Sequence, residues 1–275
     1  MIYNYRILFR NYLTKRKKEV PMISSNTNQQ IKSIIKLKKS AKERRKEKLF
    51  LVEGIRMYRE IPEDSLVKAY VTPQFYEENK QYMLEDKMEL VSETIMKEIS
   101  DTVTPQGVVA IVKQPSYSFG DILKEGEGTY LVLENLQDPG NLGTILRTGE
   151  GAGIAGVIMS QDTVDIYNTK VIRATMGSIF RVPFCYVENL EEAVLRLQQE
   201  NIMVCAAHLQ GDNLYDVTLA SKVAFLIGNE GNGLSDHITS LATKKIKIPM
   251  CGKVESLNAS IAATILMYES LRQRS

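Results

Sequence analysis

The chain has no tryptophan, only two histidines and only three cysteines in 275 residues. His208 and His237 are too few for a zinc site, and Cys185, Cys205 and Cys251 lack metal-ligand spacing, so no metal is expected. An odd cysteine count without a disulfide framework reads as reduced thiols, which predicts a cytoplasmic protein. No apolar run approaches the roughly 20 residues that span a bilayer, so no membrane partner is expected. Met1 to Pro21 is basic, has no small-residue cleavage site and contains no serine, which argues against a secretory signal and a mitochondrial presequence. We expect residues 1–21 to be a disordered arm or an extension upstream of the true start codon, with Met22 opening the first domain. The remaining balance, 44% hydrophobic and 25% charged, is that of a soluble globular chain with room for one large or two ordinary domains.

The net charge of +2 hides an asymmetry. Residues 1–48 hold fifteen Lys or Arg against three Glu, a net +12, which leaves the rest at −10. Nine of these cations lie between Lys32 and Lys48, with only Glu43 and Glu47 to offset them. A charge run is most often a solvated helix face. Concentrated on one small region of an otherwise acidic chain, it favours a polyanion partner, because Lys and Arg that meet phosphates release counterions. Lys38, Lys39, Arg44 and Arg45 are the expected contacts.

Two α/β units follow from the periodicity. Ile31, Ile34, Ile35 and Leu37 make an apolar stripe on a helix expected over 28–48. Short apolar runs at 49–52, 66–71, 88–91 and 107–112 read as strands, with Thr72-Pro73 and Ser92 opening helices between them. This predicts a domain over 22–113 and a connection over 114–128. In the second domain, 129–275, strands are expected at 129–133, 156–159, 203–206, 222–227 and 244–248. Its helices are expected at 141–151, 189–200 and 256–272, with shorter ones near 168–174 and 235–241. Strands alternating with helices imply a mostly parallel, covered sheet.

Three polar blocks stand at the ends of strands in this second unit: Asn135 to Thr148, Gly228 to Leu234, and Ile248-Pro249-Met250 running on to Glu255–Ser260. Polar groups gathered at the carboxyl ends of strands form a ligand crevice in an open α/β sheet. Each block has a bland reading. Asp138-Pro139-Gly140-Asn141 can be a turn with a helix cap, Gly228-Asn229-Glu230-Gly231 a structural turn, and Ser256 and Asn258 caps of the last helix. Arg147 is harder to dismiss, since a cation in the second turn gains nothing from the helix dipole and its fork suits phosphate or carboxylate. Gly151 to Gly156 formally matches G-x-G-x-x-G, but it ends a helix and enters a strand, the reverse of a dinucleotide fingerprint.

On these blocks the sequence resembles the SpoU (TrmH-like) RNA 2′-O-ribose methyltransferases of the knotted, or SPOUT, class. The first block is similar to that family's first motif, with Asn141 and Arg147 in place. Gly228–Leu234 resembles its second motif, and Ile248-Pro249-Met250 with Ser256–Ser260 its third. Leu49–Gly54 and Pro105-Gln106-Gly107 resemble the family's N-terminal substrate-binding domain. The likeness spans about residues 24–272. Ala259, Ala263 and Lys253-Val254-Glu255 vary from relatives without touching the proposed chemistry.

The resemblance implies a trefoil knot, S-adenosylmethionine as cofactor, RNA as substrate and a homodimer with its site near the interface. It places cofactor contacts at Leu209, Gly211, Ile227, Gly228, Ile248, Met250 and Leu257. Catalytic roles fall to Asn141, Arg147, Glu230, Ser256 and Asn258. The expected reaction is 2′-O-methylation of a ribose in structured RNA, with 23S rRNA the first expectation. A transfer-RNA methyltransferase, or a catalytically silent RNA-binding or ribosome-assembly protein of the same fold, remains an alternative.

Overall fold

The computed structural model describes residues 21–123 and 126–275. The expectations for residues 1–20 lie outside the described residues. The N-terminal half runs β1 (Met22–Ile23), α1 (Gln29–Lys39), α2 (Ala41–Glu47), β2 (Leu49–Glu53), α3 (Ile55–Tyr58), β3 (Leu66–Val71), α4 (Pro73–Asn79), β4 (Met88–Val91), α5 (Glu93–Ile99) and β5 (Val108–Lys113). Its five strands form a mixed sheet in the order β1-β4-β3-β5-β2, parallel across β1, β4 and β3 and antiparallel across β3, β5 and β2. The single helix expected over 28–48 is two. Ser40 turns the chain into extended backbone, and its side chain accepts from the Glu43 N–H to start the second helix. A serine that can hydrogen-bond locally offers the backbone this exit.

The C-terminal half begins after α6 (Phe119–Ile122), with β6 (Gly128–Leu133), α7 (Pro139–Gly151), β7 (Gly156–Ser160), α8 (Thr169–Thr175) and β8 (Phe184–Val187). It continues through α9 (Leu190–Gln199), β9 (Met203–Asn213), β10 (Lys222–Ile227), α10 (Asp236–Ser240), β11 (Lys244–Lys247) and α11 (Ala259–Arg274). The sheet order is β11-β9-β10-β6-β7-β8, and every pairing is parallel. Parallel strands must be covered on both faces, and β6 is buried along its whole length. Two strands escaped the sequence reading, β1 and β8, of two and four residues. The Gly151–Gly156 stretch ends a helix and enters a strand as expected: α7 ends at Gly151, Gly153 turns at φ +65°, and β7 starts at Gly156.

The two halves share a core. One apolar cluster includes Phe50 and Val52 of the first sheet with Leu131, Leu142 and Ile179 of the second half. Phe50 packs its ring 5.0 Å from Tyr167 and 6.0 Å from Phe180. The segment expected as a connection is docked rather than free. Gln114 donates to the carbonyls of Arg44 and Leu49, Pro115 accepts from the Tyr167 hydroxyl, and Ile122 is fully buried. Ion pairs cross this seam: Arg44 with Asp165, Arg173 with Asp101, and Arg181 with Glu60. No described helix is long and apolar enough to cross a membrane.

Candidate active site

The site is built at the carboxyl ends of β6, β9, β10 and β11, where a parallel sheet opens into loops. After β6 the chain turns through Asn135 at φ 55°, a left-handed position that asparagine tolerates better than most residues. Glu134 holds this turn to the next block by accepting from the Ser235 N–H at 2.8 Å and its hydroxyl at 2.6 Å. The Asn229 side-chain amide donates to the Asn135 carbonyl at 2.9 Å. Asp138 then caps α7 by accepting from the Asn141 N–H, and Pro139 takes the first turn, where no N–H is needed.

Glu230 crosses from the second block to clasp this helix start. Its carboxylate accepts from the Gln137 N–H at 3.0 Å, the Asp138 N–H at 2.9 Å and the Asn141 side-chain amide at 3.0 Å. Burial alone would raise this carboxyl group. The Asn141 amide and the Gln137 and Asp138 N–H groups outweigh burial and hold it below the usual glutamate value. The positive end of α7 favours the same charge state.

The Gly228–Leu234 loop closes on itself. Asn229 and Gly233 exchange backbone hydrogen bonds at 3.0 and 2.8 Å, and the Asn229 side chain accepts from the N–H groups of Gly231 and Asn232. A Cβ on Gly228 would overlap the backbone of Gly233 and Leu234, and Gly233 sits at φ +70°. Both glycines are therefore demanded by the loop. In the third block Asn258 caps α11, its side-chain Oδ1 accepting from the Ser260 N–H and hydroxyl and the Ile261 N–H.

The Gly228–Leu234 loop, the third block and residues of β9 and β11 line a cavity of about 620 Å³. Leu209, Ile227, Gly228, Ile248, Met250 and Leu257 line it, six of the seven residues expected to face a cofactor. Gly211 does not line it; it lies on β9, where a Cβ would overlap the Ile246 backbone, so its need is for close strand packing. Of the expected catalytic residues, Glu230, Ser256 and Asn258 line the cavity. Asn141, 7% exposed, joins it through Glu230. Arg147 does not line it. It is exposed on α7 and has no hydrogen-bond or ion-pair partner among the described residues. Sequence reasoning also missed His208, Lys247 and Glu255, which line the cavity. Adjacency to Leu209, Ile248 and Ser256 was the available signal.

Residues 128–268 match the SpoU rRNA Methylase family, and residues 28–110 match the MRM3-like substrate binding domain. The chain belongs to the SpoU rRNA methylase family. It is similar over 255 residues, at 33% identity, to the Bacillus subtilis 23S rRNA (guanosine(2553)-2′-O)-methyltransferase RlmP, with 90% of this chain and 97% of that protein covered. The 23S rRNA (guanosine-2′-O-)-methyltransferase RlmB of Bordetella pertussis is 34% identical over 175 residues, covering 62% of this chain and 71% of its own. Among solved structures, an AdoMet-bound rRNA methyltransferase from Sinorhizobium meliloti superposes with a TM-score of 0.81 at 30% identity, covering 92% of this chain and 97% of that one. As a SpoU methyltransferase the chain has the fold that the sequence implied, a parallel α/β sheet of the knotted class beside a smaller mixed sheet.

The basic helices of this SpoU protein divide in an unexpected way. Lys39 and Arg45 are exposed as expected. Lys38 is half-buried, and its ammonium donates to the carbonyls of Glu98 and Ser100, both at 2.7 Å. Arg44 is corrected outright as a surface contact: it is 4% exposed, with its guanidinium spent on Asp165 and on the carbonyls of Leu37 and Lys38.

Proposed function

We propose that this chain transfers a methyl group from S-adenosylmethionine to a ribose 2′-oxygen in 23S rRNA, acting as a homodimer. The observation that carries the reading is the convergence of the second and third sequence blocks on one cavity at the carboxyl ends of parallel strands, with the first block clasped to it through Glu230. The rRNA assignment follows the relative that shares both halves of the chain. The residues present fit the cofactor. Ile227, Ile248, Met250 and Leu257 offer apolar walls for a purine, and the bare backbone at Gly228 allows close approach. When bound, S-adenosylmethionine supplies an electrophilic methyl on a sulfonium centre.

The chain's own residues then position and stabilise. Glu230 keeps Asn141 and the start of α7 in place; with its oxygens occupied by three N–H donors, it serves as an anchor rather than a base. A guanidinium has no accessible proton-accepting form, so Arg147 holds the phosphate beside the target and stabilises the developing alkoxide, while water takes the proton. In-line positioning of this kind contributes up to roughly 7–11 kcal/mol in ideal cases.

The free position of Arg147 fits a site completed by a second copy. The same face of α7 carries Gly151, whose Cβ would lie 3.2 Å from the Tyr268 hydroxyl. Tyr268 and Ile261, two turns apart on α11, are 46% and 49% exposed. Exposed large apolar groups on a helix packed against the one that carries a free arginine suit a subunit interface. The test mixes two inactive proteins, Arg147→Ala and Gly228→Val, the second with its cofactor loop blocked. Recovery of methylation on mixing is the expected result. No recovery, with both proteins folded and dimeric, places Arg147 in its own chain's site. Mapping ribose methylation in rRNA and tRNA from cells lacking the protein identifies the substrate.

A further inference from the structure

The most deeply buried cation of the basic region sits on the seam between the halves. Arg44 lies in the middle of α2, flanked by exposed Lys42, Arg45 and Lys46. Its Nε and Nη2 donate to Asp165 Oδ2 at 2.8 and 2.6 Å. Its Nη1 donates to the Leu37 and Lys38 carbonyls at 2.6 and 3.1 Å, which pins the end of α1 against α2. Asp165 in turn accepts from the Tyr167 N–H at 3.1 Å. The loop that carries Asp165 abuts the catalytic loop. Val164 N–H donates to the Leu136 carbonyl at 2.8 Å, and the Gln137 side chain donates to the Asp162 carbonyl at 2.6 Å. Gln137 N–H is itself one of the three donors on Glu230.

We propose that the Arg44–Asp165 pair is a positioning device: it sets the offset between the exposed basic face of α1 and α2 and the loop that holds Asn141, so that RNA gripped by the first presents its ribose in line at the second. This rests on the methyltransferase reading above. Charge burial supports the assignment. An apolar pair of similar volume holds a fold as well as a buried ion pair does, whereas only the directional fork fixes one orientation. The other ion pairs across the seam are more exposed, and such pairs hold orientation weakly.

The test compares the full chain with Arg44→Lys and with the double variant Arg44→Met, Asp165→Leu. The double variant is expected to keep its unfolding midpoint, its affinity for S-adenosylmethionine and its RNA Kd. Its kcat on rRNA should fall about 10- to 100-fold, the scale of a small misplacement. Backbone amides of residues 135–141 should exchange faster with deuterium, whether or not the protein is assayed for turnover. Arg44→Lys, charged but without the fork, should not restore kcat. A double variant with wild-type kcat and wild-type exchange at 135–141 overturns the proposal, as does a loss confined to RNA Kd. If the double variant unfolds, Asp165→Asn carries the same two readouts. Absence of methylation by the wild-type protein would instead sink the methyltransferase reading, and the exchange result would still decide the positioning role.

Discussion

The basic helices and the strand-end loops stand in contrast. In the loops, residues singled out by their chemistry meet one another: Glu230 binds the start of α7, Asn229 binds the Asn135 carbonyl, and Ser256 and Asn258 line the same cavity. In the basic helices, four cations of similar appearance take three different fates. Arg44 is buried, Lys38 is tied to carbonyls, and Lys39 and Arg45 face solvent. The difference is physical. A glycine at positive φ or a cap beside a proline restricts the backbone, so such residues carry local information about shape. A charge run restricts nothing locally, and which member turns inward depends on a partner elsewhere in the fold.

That contrast can be broken by substitution. Arg44→Ala should destabilise the chain by about 3–5 kcal/mol, because it leaves Asp165 partly buried without its cation. Urea unfolding measures this, and a change near zero would return Arg44 to the ranks of its exposed neighbours. Arg147→Ala, on the free surface of α7, should leave stability and cofactor affinity unchanged while turnover falls about 10²- to 10³-fold, the scale of one lost transition-state donor. Single-turnover kinetics with calorimetric binding separates the two effects.

Glu230→Gln sharpens the loop side. Its amide nitrogen would face an N–H donor, and turnover should fall about tenfold, with faster amide exchange at 137–141. The pH dependence has a defined sign. Because the folded carboxyl group lies below its ordinary value of 4.5, the clasp is complete above that value and is lost only as pH falls through the lower folded one. Turnover should therefore show no Glu230-linked step between about pH 6 and 8. Reversing Lys39 and Arg45 to Glu is the mildest change. It should weaken RNA binding across sequences and flatten the salt dependence by about 1.5 in slope, two phosphate contacts' worth. An unchanged slope would mark these two as a solvated face.

Much of this arrangement was legible in the chain. The apolar runs of β2, β3, β5, β6 and β10 and the glycine-bearing blocks that follow β6 and β10 locate the sheets and the crevice. Short β1 and β8 were not legible, nor was the break at Ser40, since a serine inside a lysine-rich helical pattern has no distinct signature. Gly211 was expected as a cofactor contact, whereas its close neighbour is the Ile246 backbone of β11.

What the sequence determined alone is local: which segments alternate, where the backbone needs glycine, and which polar groups stand at strand ends. Those follow from periods of two and 3.6 residues and from backbone sterics, all of which act over a few positions. Only the tertiary structure decided that Arg44 would pair with Asp165, 121 residues away, and that Arg147 would stand outside the cavity its own chain forms. Pairing across such a separation is chosen by how the sheets and helices pack, and no local pattern encodes it.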